Sequence, residues 1–373
     1  MESCDVLVVG GGPAGSVCAG KLRQAGLDVL LLDRETFPRE KPCAGWITPA
    51  ALATLELDPD LYRKGRVLQD VSTFRVGLVG GTEVVIPYGK TVSYGIRRRE
   101  FDHYLLERSG VRRSLGEPVM SLEREEGRWL VNGRIRARLL VGAGGHYCPV
   151  ARHLGAKIGR EAVIAAQAAE FAMTPEQEQQ CPIPAGTPAL FFCRDMKGYG
   201  WFFRKGDYLN IGLGRMDKDN LGHHVREFCL FLQRRGYLAE GFPGTFQGHA
   251  YLLYQRQGGR RCVDDGVMLI GDAAGLSHPQ SGEGILPAIE SALLAADTIV
   301  EAGGDYRRDK LELYASRLAA RFGGGGDMPS SPLVSGIARF CGARLLSGSW
   351  FVRHIVLDRW FLHADRKGLY AMR

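Results

Sequence analysis

The segment Val6-Leu7-Val8-Val9-Gly10-Gly11-Gly12-Pro13-Ala14-Gly15, followed by Leu30-Leu31-Leu32-Asp33, constrains this chain more than any other. It reads as a buried strand, a glycine turn, a helix, a second buried strand and a terminal acid. Gly10 permits the tight turn, Gly12 lets the backbone approach a pyrophosphate, and Gly15 lets the helix pack close on the sheet. Pro13 and Ala14 open the helix, whose first-turn N–H groups and partial positive charge face the phosphates. Asp33 arrives at the spacing of a ribose-binding acid, with Arg34 beside it. A bare G-x-G-x-x-G is weak evidence, but this strand–turn–helix–strand–acid setting predicts dinucleotide binding.

A second motif lies far downstream. Val267-Met268-Leu269-Ile270-Gly271-Asp272-Ala273-Ala274-Gly275 is another apolar strand ending in a small-residue turn. Pro279 and Ser281-Gly282-Glu283-Gly284 follow. Ile285, Ile289, Leu293, Ala296 and Ile299 then recur at helical spacing, which predicts a helix over 285–302 stopped by Gly303-Gly304. A second helix N-terminus on a glycine-rich loop is a second dipole site.

The pairing of the two motifs resembles flavoproteins with the p-hydroxybenzoate hydroxylase fold. The resemblance implies FAD as cofactor, Asp272 on its ribityl chain, and the loop through Gly271, Pro279, Gly282, Gly284 and Ile285 beside the flavin ring. Within that group the chain is most similar to geranylgeranyl reductases, which reduce isolated C=C bonds of isoprenoid chains. Lys41-Pro42-Cys43-Ala44-Gly45 is similar to the family's cysteine loop, and Arg98-x-x-Phe101-Asp102 to its R-x-x-F-D helix start. Gly198-Tyr199-Gly200-Trp201-Phe202-Phe203, with Asn210-Ile211-Gly212-Leu213-Gly214, resembles its Y-x-W-x-F-P strand and N-x-G-x-G return. By resemblance Cys43, Ala44, Arg98 and Val119 join the FAD-binding residues.

The chain also departs from that family. Arg204 stands where the strand motif has Pro, and Trp46 where the cysteine loop often has Gly. Gly144 and Cys148 replace the Asp and Ser of the usual A-D-G-x-x-S segment. Loss of that Asp weakens an NAD(P)H-using hydroxylase reading and leaves the electron donor open between NAD(P)H and ferredoxin.

The expected fold class is α/β: a discontinuous Rossmann-like FAD-binding domain, an inserted, mostly antiparallel substrate domain, and a helical C-terminal tail. The FAD-binding domain is expected over 1–67, 97–156 and 262–302, and the substrate domain over 68–96 and 157–261. The C-terminal region is expected over 303–373, with a flexible break at Gly323–Gly326. Strand-like stretches are expected near Val119 and at Trp129-Leu130-Val131, with a turn at Asn132-Gly133.

Chemistry then narrows to few side chains. Tyr199, Trp201 and Phe203 alternate along one strand and share one face. They form one aromatic wall, suited to an apolar chain or flat ring beside the flavin or else to core packing between sheet and helix; Trp46 would narrow the pocket or stack on a planar substrate. An unactivated C=C accepts hydride poorly, so a proton donor is needed; Cys43 and Tyr199 are the candidates. His278 in the late loop is a weaker one.

Other function classes lose support. Nine scattered cysteines lack paired metal spacing, which argues for reduced thiols in a cytoplasm and against a metal site. No apolar run approaches the ~18–20 residues of a membrane span. The first apolar run is a strand without a basic leader, so a secretory leader is not expected. The net charge of +7 and the tail with Trp350, Phe351, Trp360 and Phe361 fit a peripheral contact at the inner face of a membrane and, equally, a closed substrate pocket. Dispersed arginines without a binding motif argue against nucleic acid. Two rival readings stay open: a flavin monooxygenase or halogenase, and an FAD-bound scaffold without turnover.

Overall fold

The computed structural model describes residues 1–158, 161, 163–217, 219–239, 241–242, 244–255, 259–323, 344–366 and 368–369. The chain forms two compact units. One comprises Met1–Glu40, Arg99–Ala162 and Tyr251–Asp327; the other comprises Lys41–Arg98, Val163–Ala250 and Met328–Arg373.

The first unit is built on a sheet ordered Val263–Asp264, Val267–Leu269, Ile135–Gly142, Glu2–Val9, Val29–Asp33 and Arg112–Leu115. The last five run parallel. Parallel strands are covered on both faces, so their sequences are continuous apolar runs rather than alternating ones. Val29–Asp33 is buried at every position. The helix Pro13–Gln24 packs against Ile285–Glu301, which brings the two glycine-rich turns into one unit. The hairpin Leu122–Glu125 and Arg128–Val131 extends the sheet. Its partner turn at Asn132 and Gly133 has the positive φ pair, 52° and 64°, that a tight hairpin needs. Val119 is not in a strand: it follows Pro118, which lacks a ladder donor, and lies half-buried against the core.

The second unit holds a seven-stranded sheet ordered Gln247–Tyr251, Ile164–Ala172, Tyr208–Arg215, Gly198–Lys205, Ala189–Phe192, Thr73–Leu78 and Glu83–Pro87. Period-2 alternation divides its faces. Phe191, Phe202, Ile211 and Leu213 meet Val225, Phe228, Phe231 and Leu232 of the helix Leu221–Arg234. Gly200 allows that approach, since a Cβ there would lie 2.6 Å from the Phe228 ring. Tyr199, Trp201, Phe203 and Lys205 belong to the opposite face.

Two boundaries differ from expectation. Trp46–Ile47 pairs with Ser93–Ile96, which pairs with Leu68–Val71, so residues 41–67 group with the second unit. The helix Arg308–Phe322 buries Leu311, Tyr314, Leu318 and Phe322 in the first core, and Tyr314 Oη donates to Leu269 O at 2.9 Å. It is not part of a separate tail. Of the expected break, only Gly323 is among the described residues. The described tail contains the short helix Ser349–Phe351 and the π-helix Val352–Phe361. Among the described residues, no helix is long and apolar enough to cross a membrane.

Candidate functional site

The first glycine turn leaves no room for side chains. Gly10 has φ +116°, and a Cβ there would lie 2.4 Å from Ala143 O. A Cβ on Gly15 would lie 1.8 Å from Gly10 O. Gly12 caps the helix with no side-chain hydrogen bond, and Pro13 needs no N–H partner. The backbone donors of the first turn, at Ala14 and Gly15, are therefore presented to an anion.

Asp33 is buried and ties this turn together. Its Oδ2 accepts from Gly11 N at 2.5 Å and its Oδ1 from Glu35 N at 2.9 Å. Each oxygen keeps a lone pair for a ribose hydroxyl. Arg34, by contrast, has a side chain 68% exposed and pairs with Glu35 at 3.2 Å.

Sequence reasoning missed Arg39. Its Nη2 lies 3.2 Å from Oδ2 of Asp102, whose side chain is fully buried, and 3.4 Å from where a Gly12 Cβ would be. The guanidinium covers the Phe37 ring at 4.8 Å. Its Nη1 is buried with no hydrogen-bond partner. A buried donor without an acceptor is costly, and a pyrophosphate at Gly12 would satisfy it. The residues present thus fit FAD. Arg39 sits in an irregular loop with no periodicity to mark it; the only hint was Asp102 of the R-x-x-F-D motif.

The late loop makes a second cradle. Gly271 has φ +59° and starts a 3-10 turn. Asp272 Oδ1 accepts from Ser277 Oγ at 3.3 Å. Gly284 caps the helix Ile285–Glu301, again without a side-chain cap. A Cβ on Gly284 would lie 3.0 Å from Ser277 Oγ and 3.1 Å from Asp272 Oδ1, so glycine keeps open the approach between the carboxylate and the helix N-terminus. His278 N donates to Glu283 O, and Gly282 N to His278 O, both at 2.8 Å, which closes the loop around Pro279. Ile285 is buried beneath it.

Arg260, also missed, bolts this loop down. It donates to both oxygens of Glu161 at 2.7 and 2.6 Å, to Ala273 O at 3.0 Å and to His146 O at 3.1 Å. The same region carries the departures at Gly144 and Cys148. A Cβ on Gly144 would meet Cys148 Sγ at 3.3 Å, so the cysteine occupies part of the space an aspartate would need. Burial pushes the Cys148 thiol up, so it stays neutral.

In the second unit, Cys43 is half-buried and its Sγ accepts from Gly45 N at 3.4 Å. Ala44 is half-buried beside it, and Arg98 begins the helix Arg98–Ser109. Trp46 stacks on Phe74 at 5.1 Å and on Phe361 at 5.4 Å. Tyr199 meets Phe361 edge-on at 5.3 Å and Trp201 at 6.2 Å. The expected wall therefore splits. Trp46 and Tyr199 are half-buried, whereas Trp201 and Phe203 are 7% and 1% exposed. Phe203 packs under Gly95, where a Cβ would lie 2.4 Å from its ring. Phe74, not singled out in the sequence, and Phe361, read there only as a tail aromatic, pack against these rings.

These two cradles define the class of the protein: it is an FAD-dependent oxidoreductase, and residues 3–59 match the FAD binding domain family. The chain is 32% identical over 355 residues to menaquinone reductase of Mycobacterium tuberculosis, covering 87% of this chain and 82% of that protein. It is 28% identical to digeranylgeranylglycerophospholipid reductase of Methanothrix thermoacetophila, covering 84% and 82%. It shares its fold with a geranylgeranyl bacteriochlorophyll reductase-like protein of Thermoplasma acidophilum, with a TM-score of 0.73, 22% identity, and 93% and 88% coverage. The chain belongs to the geranylgeranyl reductase family of FAD-dependent oxidoreductases.

Proposed function

We propose that this protein reduces C=C bonds in the polyprenyl chain of an isoprenoid lipid, with a prenylated quinone as the favoured substrate. The observation that carries this reading is the aromatic cluster in which half-buried Trp46 and Tyr199 pack on buried Phe74 and Phe361, in the unit that holds the Cys43 loop. The names of the relatives support it: one is called a reductase of menaquinone, the other of a digeranylgeranyl lipid.

Reduced FAD, when bound, supplies the hydride for such a reduction. The chain's own residues do the rest. The turn at Gly10 and Gly12 and the helix start at Pro13 let the pyrophosphate approach, Ala14 and Gly15 present backbone donors to it, and Arg39 adds a guanidinium. Asp33 takes a ribose hydroxyl; Asp272 takes the ribityl chain. Gly271, Pro279, Gly282, Gly284 and Ile285 shape the loop and helix start, with Ala44, Arg98 and Val119 as further contacts. The thiol of Cys43, or the hydroxyl of Tyr199, gives the proton to the second carbon. Aromatic faces exclude water and stabilise developing positive charge on the chain. The net addition is two hydrogens per bond. The electron donor is NAD(P)H or ferredoxin, and the lipid substrate calls for a peripheral membrane contact.

Lipid extracts of cells with and without the gene test this reading. One polyprenyl species should gain 2 Da per reduced bond when the gene is present. Identical lipid profiles, with the FAD-loaded protein expressed, would contradict it.

A further inference from the structure

The Cys43 loop is held by a buried polar cluster that the reaction scheme leaves unused. Every backbone carbonyl from Cys43 to Gly45 has a donor. Asn210 Nδ2 donates to Cys43 O at 2.9 Å, Lys205 Nζ to Ala44 O at 3.1 Å, and Ile96 N to Gly45 O at 2.7 Å. Lys205 has a fully buried side chain and also donates to Ile96 O at 2.8 Å and to Glu170 Oε2. Asn210 donates to the same Glu170 oxygen at 3.0 Å. Trp201 Nε1 donates to Asn210 Oδ1 at 2.7 Å, which fixes the amide with its NH₂ toward the loop. Arg97 Nε reaches the other Glu170 oxygen at 3.2 Å and lies over the Tyr208 ring at 3.5 Å.

A lysine is almost never fully buried unless paired, and here its three protons have three named acceptors. Register explains the assembly. Glu170 and Asn210 are paired across two strands, and Lys205 lies on the same face of the next strand. Gly45, at φ +65°, has no room for a side chain: a Cβ would lie 2.1 Å from Ile96 O and 2.7 Å from Lys205 Nζ. A polar network this fully satisfied specifies one arrangement.

We propose that Lys205, Glu170 and Asn210 are positioning residues that clamp the Cys43–Gly45 loop, so that the thiol is presented in one geometry. Its consequence for turnover rests on the reading of Cys43 as proton donor; the clamp itself does not.

The test alkylates the FAD-loaded protein with iodoacetamide and follows Cys43 by mass spectrometry, with Cys181 as the internal reference. Asn210→Leu and Lys205→Met should each raise the Cys43-to-Cys181 rate ratio about 10-fold by loosening the loop. Both should lower kcat with KM within about 2-fold, as expected when alignment and not binding is lost. FAD content should be unchanged. If Lys205→Met fails to fold, Asn210→Leu carries the test alone. An unchanged alkylation ratio in a folded variant overturns the clamp. Should Cys43→Ala keep full kcat while the variants still free the loop, the clamp stands and the donor assignment falls.

Discussion

The two units build their sites from different materials. In the first, the site is mostly backbone: positive-φ glycines and uncapped helix starts, each cradle with one acid, Asp33 or Asp272, within a short stretch of sequence. In the second, the side chains of Glu170, Lys205 and Asn210, brought together by strand register, hold backbone carbonyls at Cys43, Ala44 and Ile96 from distant segments. Backbone sites tolerate no added atom where they are tight. Side-chain sites tolerate size changes but not loss of a partner.

Gly15→Ala probes the first kind and should have the largest effect. Its Cβ would overlap Gly10 O at 1.8 Å, so the turn must open. A cost of at least ~3 kcal/mol in FAD binding is expected, roughly a 100-fold loss of affinity. Flavin absorbance of the purified variant reads it. Full FAD occupancy would break the distinction between the units.

Lys205→Met probes the second kind. It leaves Glu170 without its main partner in a mostly buried site and should destabilise the protein by about 3–5 kcal/mol in urea unfolding. Replacing Glu170 by Gln in the same chain should recover part of that loss, because the uncompensated charge is gone. Failure to recover would assign the loss to packing alone.

Arg39→Lys joins the two kinds. It keeps a cation for Asp102 but loses the fork that reaches Gly12. FAD dissociation should become about 10-fold easier, measured by fluorescence titration of the apoprotein. Phe361→Ala should lower kcat/KM about 5-fold through the aromatic surface while leaving FAD content alone. A loss of FAD in place of activity would return that ring to core packing.

The smallest effect is at acid pH. Hydrogen bonding to Arg215 holds the Asp217 carboxyl down at about 2, despite some burial that pushes it up. A depressed carboxyl contributes stability above its unfolded value near 4, and that stability is lost as pH falls toward 2. Since Asp217 is 30% exposed, solvent screens the pair. Asp217→Asn should therefore lower thermal stability slightly at neutral pH, with the difference from the parent protein shrinking as pH falls toward 2, so that the acid limb of the profile flattens a little.

The same contrast explains what could be read from the residues alone. Gly10, Gly15 and Gly284 carry their reason locally, because a turn or helix start leaves a pattern within ten residues. The helix at 285–301 was legible from its spacing for the same reason. Arg39 and Arg260 were not, because their partners Asp102 and Glu161 lie far away in the chain. Lys205 was not singled out in the sequence; only pairing across three strands shows it as the anchor of a loop 161 residues earlier. The aromatic stripe was legible as one face, but not which of its rings stay accessible. That depends on Gly95 over Phe203 and on Phe361 arriving from the far end of the chain.

The most direct measurement mixes anaerobically reduced, FAD-loaded protein with a prenylated quinone in a single turnover. The account predicts reoxidation of the flavin in step with a 2 Da gain in the polyprenyl chain. Flavin that stays reduced, with the quinone's side chain unchanged in mass, would contradict it.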